Sequence, residues 1–174
     1  EVPILLFGYA NPFYAYGYEA LARDAREAGV DGLLVVDLPP EHAGPLYRAL
    51  RAEELSLVPL VAPTSTPERV KAASELADSF LYYVSVAGIT GSQRADYDAA
   101  GRRAAEIEEE SGRPVVVGFG IRSAEDVQQV AKHASGAVVG SAVVRRIHEA
   151  SNLEEARESI AAYIRRLCEG RHRP

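Results

Sequence analysis

Six short apolar runs alternate with amphipathic stretches along the whole chain, and this alternation limits the folds open to it more than any other feature. The runs are Pro3–Gly8, Gly32–Val36, Leu57–Val61, Phe80–Val84, Pro114–Gly118 and Gly136–Gly140. They are rich in Val, Leu and Ile and do not alternate with polar residues, as expected of strands buried on both faces of a parallel sheet. The stretches between them carry apolar residues at helical spacing. Tyr18, Leu21, Ala22, Ala25 and Ala28 make one stripe, with Gly29 as a stop, and Ala43, Leu46, Tyr47 and Leu50 make the next. Thr66 and Pro67 read as the cap and first position of a third helix, and Ser123 as the cap of a later one whose Val127, Val130 and Ala131 face inward. Helices are also expected over Ala95–Ser111, Ser141–His148 and Leu153–Leu167, so that six βα units follow in strict order.

An open doubly wound sheet and a (β/α)8 barrel both satisfy this order. The first strand-to-helix turn lacks the glycine fingerprint of a dinucleotide site. Glycines cluster instead after the last three strands, as Gly88-Ile89-Thr90-Gly91, Gly118-Phe119-Gly120 and Gly140-Ser141. A TIM barrel binds phosphate at this end, with the N-terminus of a short extra helix, and the helix opening at Ser141 stands in that place. The six strands are therefore numbered three to eight of an incomplete TIM barrel, as a single domain over residues 1–174. A typical barrel takes about 250 residues. The chain starts at Glu1-Val2-Pro3, contains no methionine and runs straight into a strand, so strands one and two are expected to be missing.

Composition narrows the function. Nearly half the residues are apolar and the net charge is −6, which argues against nucleic acid or an anionic membrane as partner. No apolar run is long enough to span a bilayer and no signal peptide opens the chain. The basic tail of Arg165, Arg166, Arg171, His172 and Arg173 reads as a solvated helix end. The single cysteine, Cys168, fits a reducing, cytoplasmic compartment and reads as a small apolar filler beside Ile164 and Leu167. His42, His133, His148 and His172 are scattered, so no metal site is expected, and there is no Walker loop or nucleophile elbow.

The chemistry-bearing residues lie at strand ends. Glycine turns and a helix N-terminus can present N–H groups to an anion without any lysine or arginine. Ser141 adds a hydroxyl. Tyr9, Tyr82 and Phe119 at strand ends suit a flat ligand or fill the core, and Asn11 and Pro12 follow Tyr9 in what reads as a loop. Asp37, in Asp37-Leu38-Pro39-Pro40, either caps the next turn or bonds within the site.

Seven blocks resemble the tryptophan synthase α subunit, in order and at that family's spacing. They are Tyr9-Ala10-Asn11-Pro12, Gly29-Val30-Asp31-Gly32, Val36-Asp37-Leu38-Pro39-Pro40-Glu41, Val61-Ala62-Pro63-Thr64-Ser65-Thr66, the run from Tyr82 to Gly91, Val117-Gly118-Phe119-Gly120-Ile121 and Val139-Gly140-Ser141-Ala142-Val143-Val144. The resemblance implies a lyase of tryptophan biosynthesis that cleaves indole-3-glycerol phosphate to indole and glyceraldehyde 3-phosphate. It implies a β-subunit partner that receives the indole and holds pyridoxal phosphate, and no cofactor on this chain. Gly91, Gly120, Gly140 and Ser141 match the family's phosphate positions. Tyr9, Asn11, Leu34, Val61, Tyr82, Thr90 and Phe119 match positions around the indole and glycerol, Thr90 in a closing loop. The family's catalytic glutamate ends strand two and its catalytic aspartate lies in the loop after it. Both precede Glu1, so no catalytic residue is assigned, and neither Asp37 nor Glu41 is promoted to the role. The 174-residue chain is thus expected to be inactive by itself. One departure is Gly8, where the family usually carries a larger residue beside the indole pocket. Two other readings are another phosphate-binding barrel, such as an indole-glycerol phosphate synthase or a sugar-phosphate isomerase, and a non-catalytic piece that binds phosphate or docks on the β subunit. The first usually places a lysine or carboxylate at a strand end, and these strand ends offer only Asp37.

Overall fold

The computed structural model describes residues 2–85, 96–118 and 120–169. The third apolar run does not form one strand. It divides into β3 (Ser56–Val58) and β4 (Leu60–Val61) at Pro59, which has no N–H to give to a ladder. Its carbonyl still accepts from Tyr82 N–H at 3.0 Å. The other strands fall within the expected runs: β1 (Leu5–Gly8), β2 (Gly32–Val35), β5 (Leu81–Val84), β6 (Val115–Gly118) and β7 (Gly136–Val138). The helices are α1 (Ala10–Tyr16), α2 (Tyr18–Glu27), α3 (Gly44–Ala52), α4 (Pro67–Leu76), α5 (Tyr97–Ser111), α6 (Ala124–Ala131), α7 (Ser141–Glu149) and α8 (Leu153–Glu169). A single 3-10 turn, Pro40–His42, precedes α3.

Two compact units contain these elements, Glu1–Tyr82 with Glu109–Pro114, and Tyr83–Glu108 with Val115–Pro174. In the first, β1, β2 and β3 form a parallel sheet with Leu5 opposite Gly32 and Gly32 opposite Ser56. Side chains alternate across a strand, so Leu33 and Val35 point to one face and Leu34 to the other. Leu33, Val35, Leu55 and Leu57 pack with Leu21, Ala22 and Ala25 of α2 and Leu46, Ala49 and Leu50 of α3. Phe7, in register with Leu34, is 63% exposed, so this unit keeps an apolar face in the open.

In the second unit, the end of β5 meets β6 through Ser85 N–H and the Gly118 carbonyl, at 3.2 Å. Strand β6 pairs in parallel with β7, with Gly118 opposite Val138. Val115, Val117, Ile107 of α5, Val130 of α6 and Tyr163 and Leu167 of α8 are buried. Ser123 caps α6 as expected, and reciprocal bonding with Asp126 completes a capping box. Cys168 differs from expectation. It is exposed on the last turn of α8 and, with Ile164, lines an apolar cavity of about 510 Å³ beside β7. Its place in the helical stripe is right, but of that stripe only Leu167 is buried, while Ile164 and Cys168 stay exposed.

Among the described residues β1 pairs only with β2, and β7 only with β6. Strand edges flanked by exposed Ile4 and Phe7 in one unit and Val144 and Ile147 in the other favour pairing with another chain. The 174-residue polypeptide is expected to sediment as dimers or larger species at micromolar concentration. A single monomeric boundary over that range would show that these edges are inert.

Candidate active site

In the first unit the expected site residues lie on β2, β4 and β5 or just after β1. Tyr9 is the residue before α1 and is 60% exposed. Asn11 is not in a loop. It is the second residue of α1, exposed, and that helix was not foreseen from the sequence. Asp37 explains it. Its Oδ1 accepts the Ala10 N–H at 2.7 Å, giving the first turn of α1 the acceptor that Tyr9 cannot supply. Asp37 therefore caps the helix of the preceding βα unit, not the turn that follows it. Leu34 and Val61 are almost fully buried, at 3% and 1% exposure, on the walls rather than at the surface. Tyr82 is half-buried, and its ring lies 6.2 Å from that of Phe7, tilted by 54°. Burial raises the pKa of the Tyr82 hydroxyl above the ordinary tyrosine value.

Phe7 was not singled out from the sequence, although strand alternation puts it on the face of Leu34. A cavity of about 210 Å³ lies between the segments after β2 and β4, lined by Asp37, Pro39, Val61, Ser65 and Arg69. Arg69, at its edge, pairs with Glu41 at 3.3 Å. The departure at Gly8 has a physical counterpart. A Cβ there would stand 2.7 Å from the tip of the Phe13 ring, so Phe13 fills the space a larger residue would take.

The second unit holds the glycine turns. Because Gly118 is level with Val138, Gly120 and Gly140 each lie two residues beyond matched positions on neighbouring strands. Gly120 has φ +73°, which glycine adopts at little cost. Gly140 is the residue before α7 and has open space where a Cβ would point. No side chain caps α7, and Ser141, its first residue, is exposed. The end of α7 thus presents uncapped N–H groups and a hydroxyl beside the Gly120 turn. This arrangement suits an oxyanion, with the helix dipole favouring negative charge. Arg146 is engaged elsewhere and adds no positive charge there. Its guanidinium bonds the Ala142 carbonyl and lies 3.6 Å over the Tyr163 ring.

Ser85 was missed from the sequence, which gives no signal for it. Its hydroxyl is buried at the end of β5 without a hydrogen-bond partner among the described residues. The expected site residues Thr90, Gly91 and Phe119 lie outside the described residues. Among those described, no group of acidic, histidine and cysteine side chains has the form of a metal site, and no helix is long and apolar enough to cross a membrane.

Residues 1–170 match the family model of the tryptophan synthase alpha chain. The chain belongs to the tryptophan synthase alpha chain family. It is 44% identical over 170 residues to the tryptophan synthase alpha chain of Nitrosococcus oceani, covering 97% of this chain and 63% of the relative. To that of Phenylobacterium zucineum it is 48% identical over 153 residues, covering 88% and 55%. Among solved structures, one of the tryptophan synthase α2β2 complex of Pyrococcus furiosus superposes with a TM-score of 0.84 at 35% identity, over 96% of this chain and 67% of that one. The alpha chain of Legionella pneumophila does so with a TM-score of 0.83 at 35% identity, over 98% and 63%. The chain is an incomplete (β/α)8 TIM barrel of this alpha chain family, and it spans less than two thirds of the length of both sequence relatives.

Proposed function

We propose that this chain provides the ligand-binding strand ends of a tryptophan synthase alpha chain, a cytoplasmic lyase of tryptophan biosynthesis that cleaves indole-3-glycerol phosphate and hands indole to a β subunit. In that reaction the bond between indole C3 and the glycerol chain breaks. Its electron pair stays on the indole, which takes a proton at C3. The adjacent glycerol hydroxyl loses its proton and becomes the aldehyde of glyceraldehyde 3-phosphate. This chain's part is to bind. Backbone N–H groups at Gly120, Gly140 and Ser141 hold the phosphate, joined by Gly91 as the family resemblance implies. Tyr82, Leu34 and Val61 flank the indole, and the family resemblance implies the same role for Tyr9, Asn11, Thr90 and Phe119. No cofactor is needed on this chain, since the steps are proton transfers.

The observation that carries this reading is the pair of register-matched glycine turns, one of which opens an uncapped helix. A competing phosphate-binding barrel would need a free catalytic group at a strand end. Asp37 is the candidate, and its carboxylate is taken up by the Ala10 N–H. Titration with inorganic phosphate, followed by amide chemical shifts, is expected to move Gly120, Gly140 and Ser141 together. Shifts confined to the exposed Arg165 and Arg166 end of α8, with those three unmoved at saturation, would refute the site.

A further inference from the structure

The Gly120 turn is held from outside by a residue that neither motif nor spacing marks. Tyr97, the first residue of α5, donates its hydroxyl to the Gly120 carbonyl at 2.7 Å. A Cβ at Gly120 would come within 3.3 Å of the same hydroxyl, so the two positions are fitted to one another. Two residues on, the Arg122 carbonyl accepts from the Tyr163 hydroxyl at 2.8 Å. The N–H groups of Arg122 and Ser123 both donate to Asp126 Oδ2, at 2.9 and 3.0 Å. The second half of the turn is therefore fixed by groups on α6 and α8. The first half is a glycine at positive φ with no side chain of its own, and its peptide is anchored through Tyr97.

A peptide group is planar and trans, so the Gly120 carbonyl and the Ile121 N–H point in opposite directions. Fixing the carbonyl against Tyr97 fixes the plane and turns the Ile121 N–H away from α5. That N–H has no hydrogen-bond partner among the described residues. A tyrosine hydroxyl is a donor at neutral pH, and burial together with the nearby Asp126 charge raises the pKa of Tyr97 further from that range.

We propose that Tyr97 is a positioning residue of the anion site, whose hydroxyl holds the Gly120 carbonyl toward α5 and so keeps that oxygen from turning toward a phosphate held by the Gly120, Gly140 and Ser141 N–H groups. The proposal rests on the reading of Gly120, Gly140 and Ser141 as the phosphate site. A glycine free to flip its peptide would offer a carbonyl oxygen, which repels an anion, for part of the time. The lock removes that state before the ligand arrives.

The test compares the unaltered chain with Tyr97→Phe, which keeps the ring and removes only the hydroxyl. Both are titrated with inorganic phosphate, and Kd is read from the amide shifts of Gly140 and Ser141, which Tyr97 does not touch. The variant is expected to bind phosphate about five- to tenfold more weakly, the equivalent of one neutral hydrogen bond. Its Gly120 and Ile121 amides should shift before any phosphate is added, while Gly32 in the other unit stays in place. A variant that unfolds more readily but binds phosphate with unchanged Kd would overturn the proposal and leave Tyr97 a purely structural role. If the unaltered chain shows no shift at Gly120, Gly140 or Ser141 at saturating phosphate, the phosphate-site reading fails first and the positioning role falls with it.

Discussion

The 174-residue chain, purified and assayed alone, is expected to cleave indole-3-glycerol phosphate no faster than background. The reaction needs one group to deliver a proton to indole C3 and another to take the proton of the glycerol hydroxyl. A positioned general acid or base contributes about 10²–10⁴ in rate. On the strand numbering expected from the resemblance, both carboxylates fall outside these 174 residues, so both contributions are expected to be lost at once. Among the described residues, the acidic groups at strand ends are engaged elsewhere, Asp37 with the Ala10 N–H and Glu41 with Arg69. Phosphate binding should survive where turnover does not, because the glycine turns proposed to hold the phosphate lie within the chain. The assay therefore pairs indole release with phosphate binding on the same preparation. Release of indole within tenfold of a complete alpha chain would mean that catalytic groups have gone unrecognised here and that the strand numbering is wrong.

Leu33→Ala should be among the most damaging single substitutions outside the site. Strand β2 is buried along its full length, between β1 and β3. Leu33 is fully buried and packs in the core formed with α2 and α3. Truncating such a leucine removes its transfer free energy and leaves a cavity that a central strand cannot close, at a cost of about 2–5 kcal/mol. That is a large share of the roughly 5–15 kcal/mol that keeps a domain folded. Val144→Ala, on the exposed face of α7, should change stability by less than about 0.5 kcal/mol. Denaturant unfolding of both variants, compared at constant slope, measures the difference. A loss below about 1 kcal/mol for Leu33→Ala would mean that β2 is not the centre of this core.

Much of the candidate site could be read from the sequence because it is made of backbone. Gly120, Gly140 and Ser141 matter through where they sit at strand ends and helix starts, and those positions follow from local periodicity. Residues whose roles depend on partners far along the chain were harder to place. From the sequence Asp37 either caps the next turn or bonds within the site, whereas it serves α1, whose Ala10 lies 27 positions earlier. Helix α1 was missed because a segment of seven residues carries too little periodicity to register, and its first turn depends on that distant carboxylate. Tyr97 left no trace, since its partner lies 23 positions later and is a carbonyl, which every residue has.

The sequence alone determined the order of βα units, the parallel strands, the helix caps at Thr66 and Ser123 and the glycine turns. Each depends on residues close together in the chain, where the periods of strand and helix and the conformational preferences of glycine and proline act directly. Tertiary structure decided the break at Pro59 into two strands, the packing of Phe13 into the space left at Gly8 and the exposure of Cys168. It also decided which polar groups were already occupied. Those outcomes depend on what stands opposite a residue in space, and hydrogen-bond partners and packing neighbours are settled only when distant segments meet.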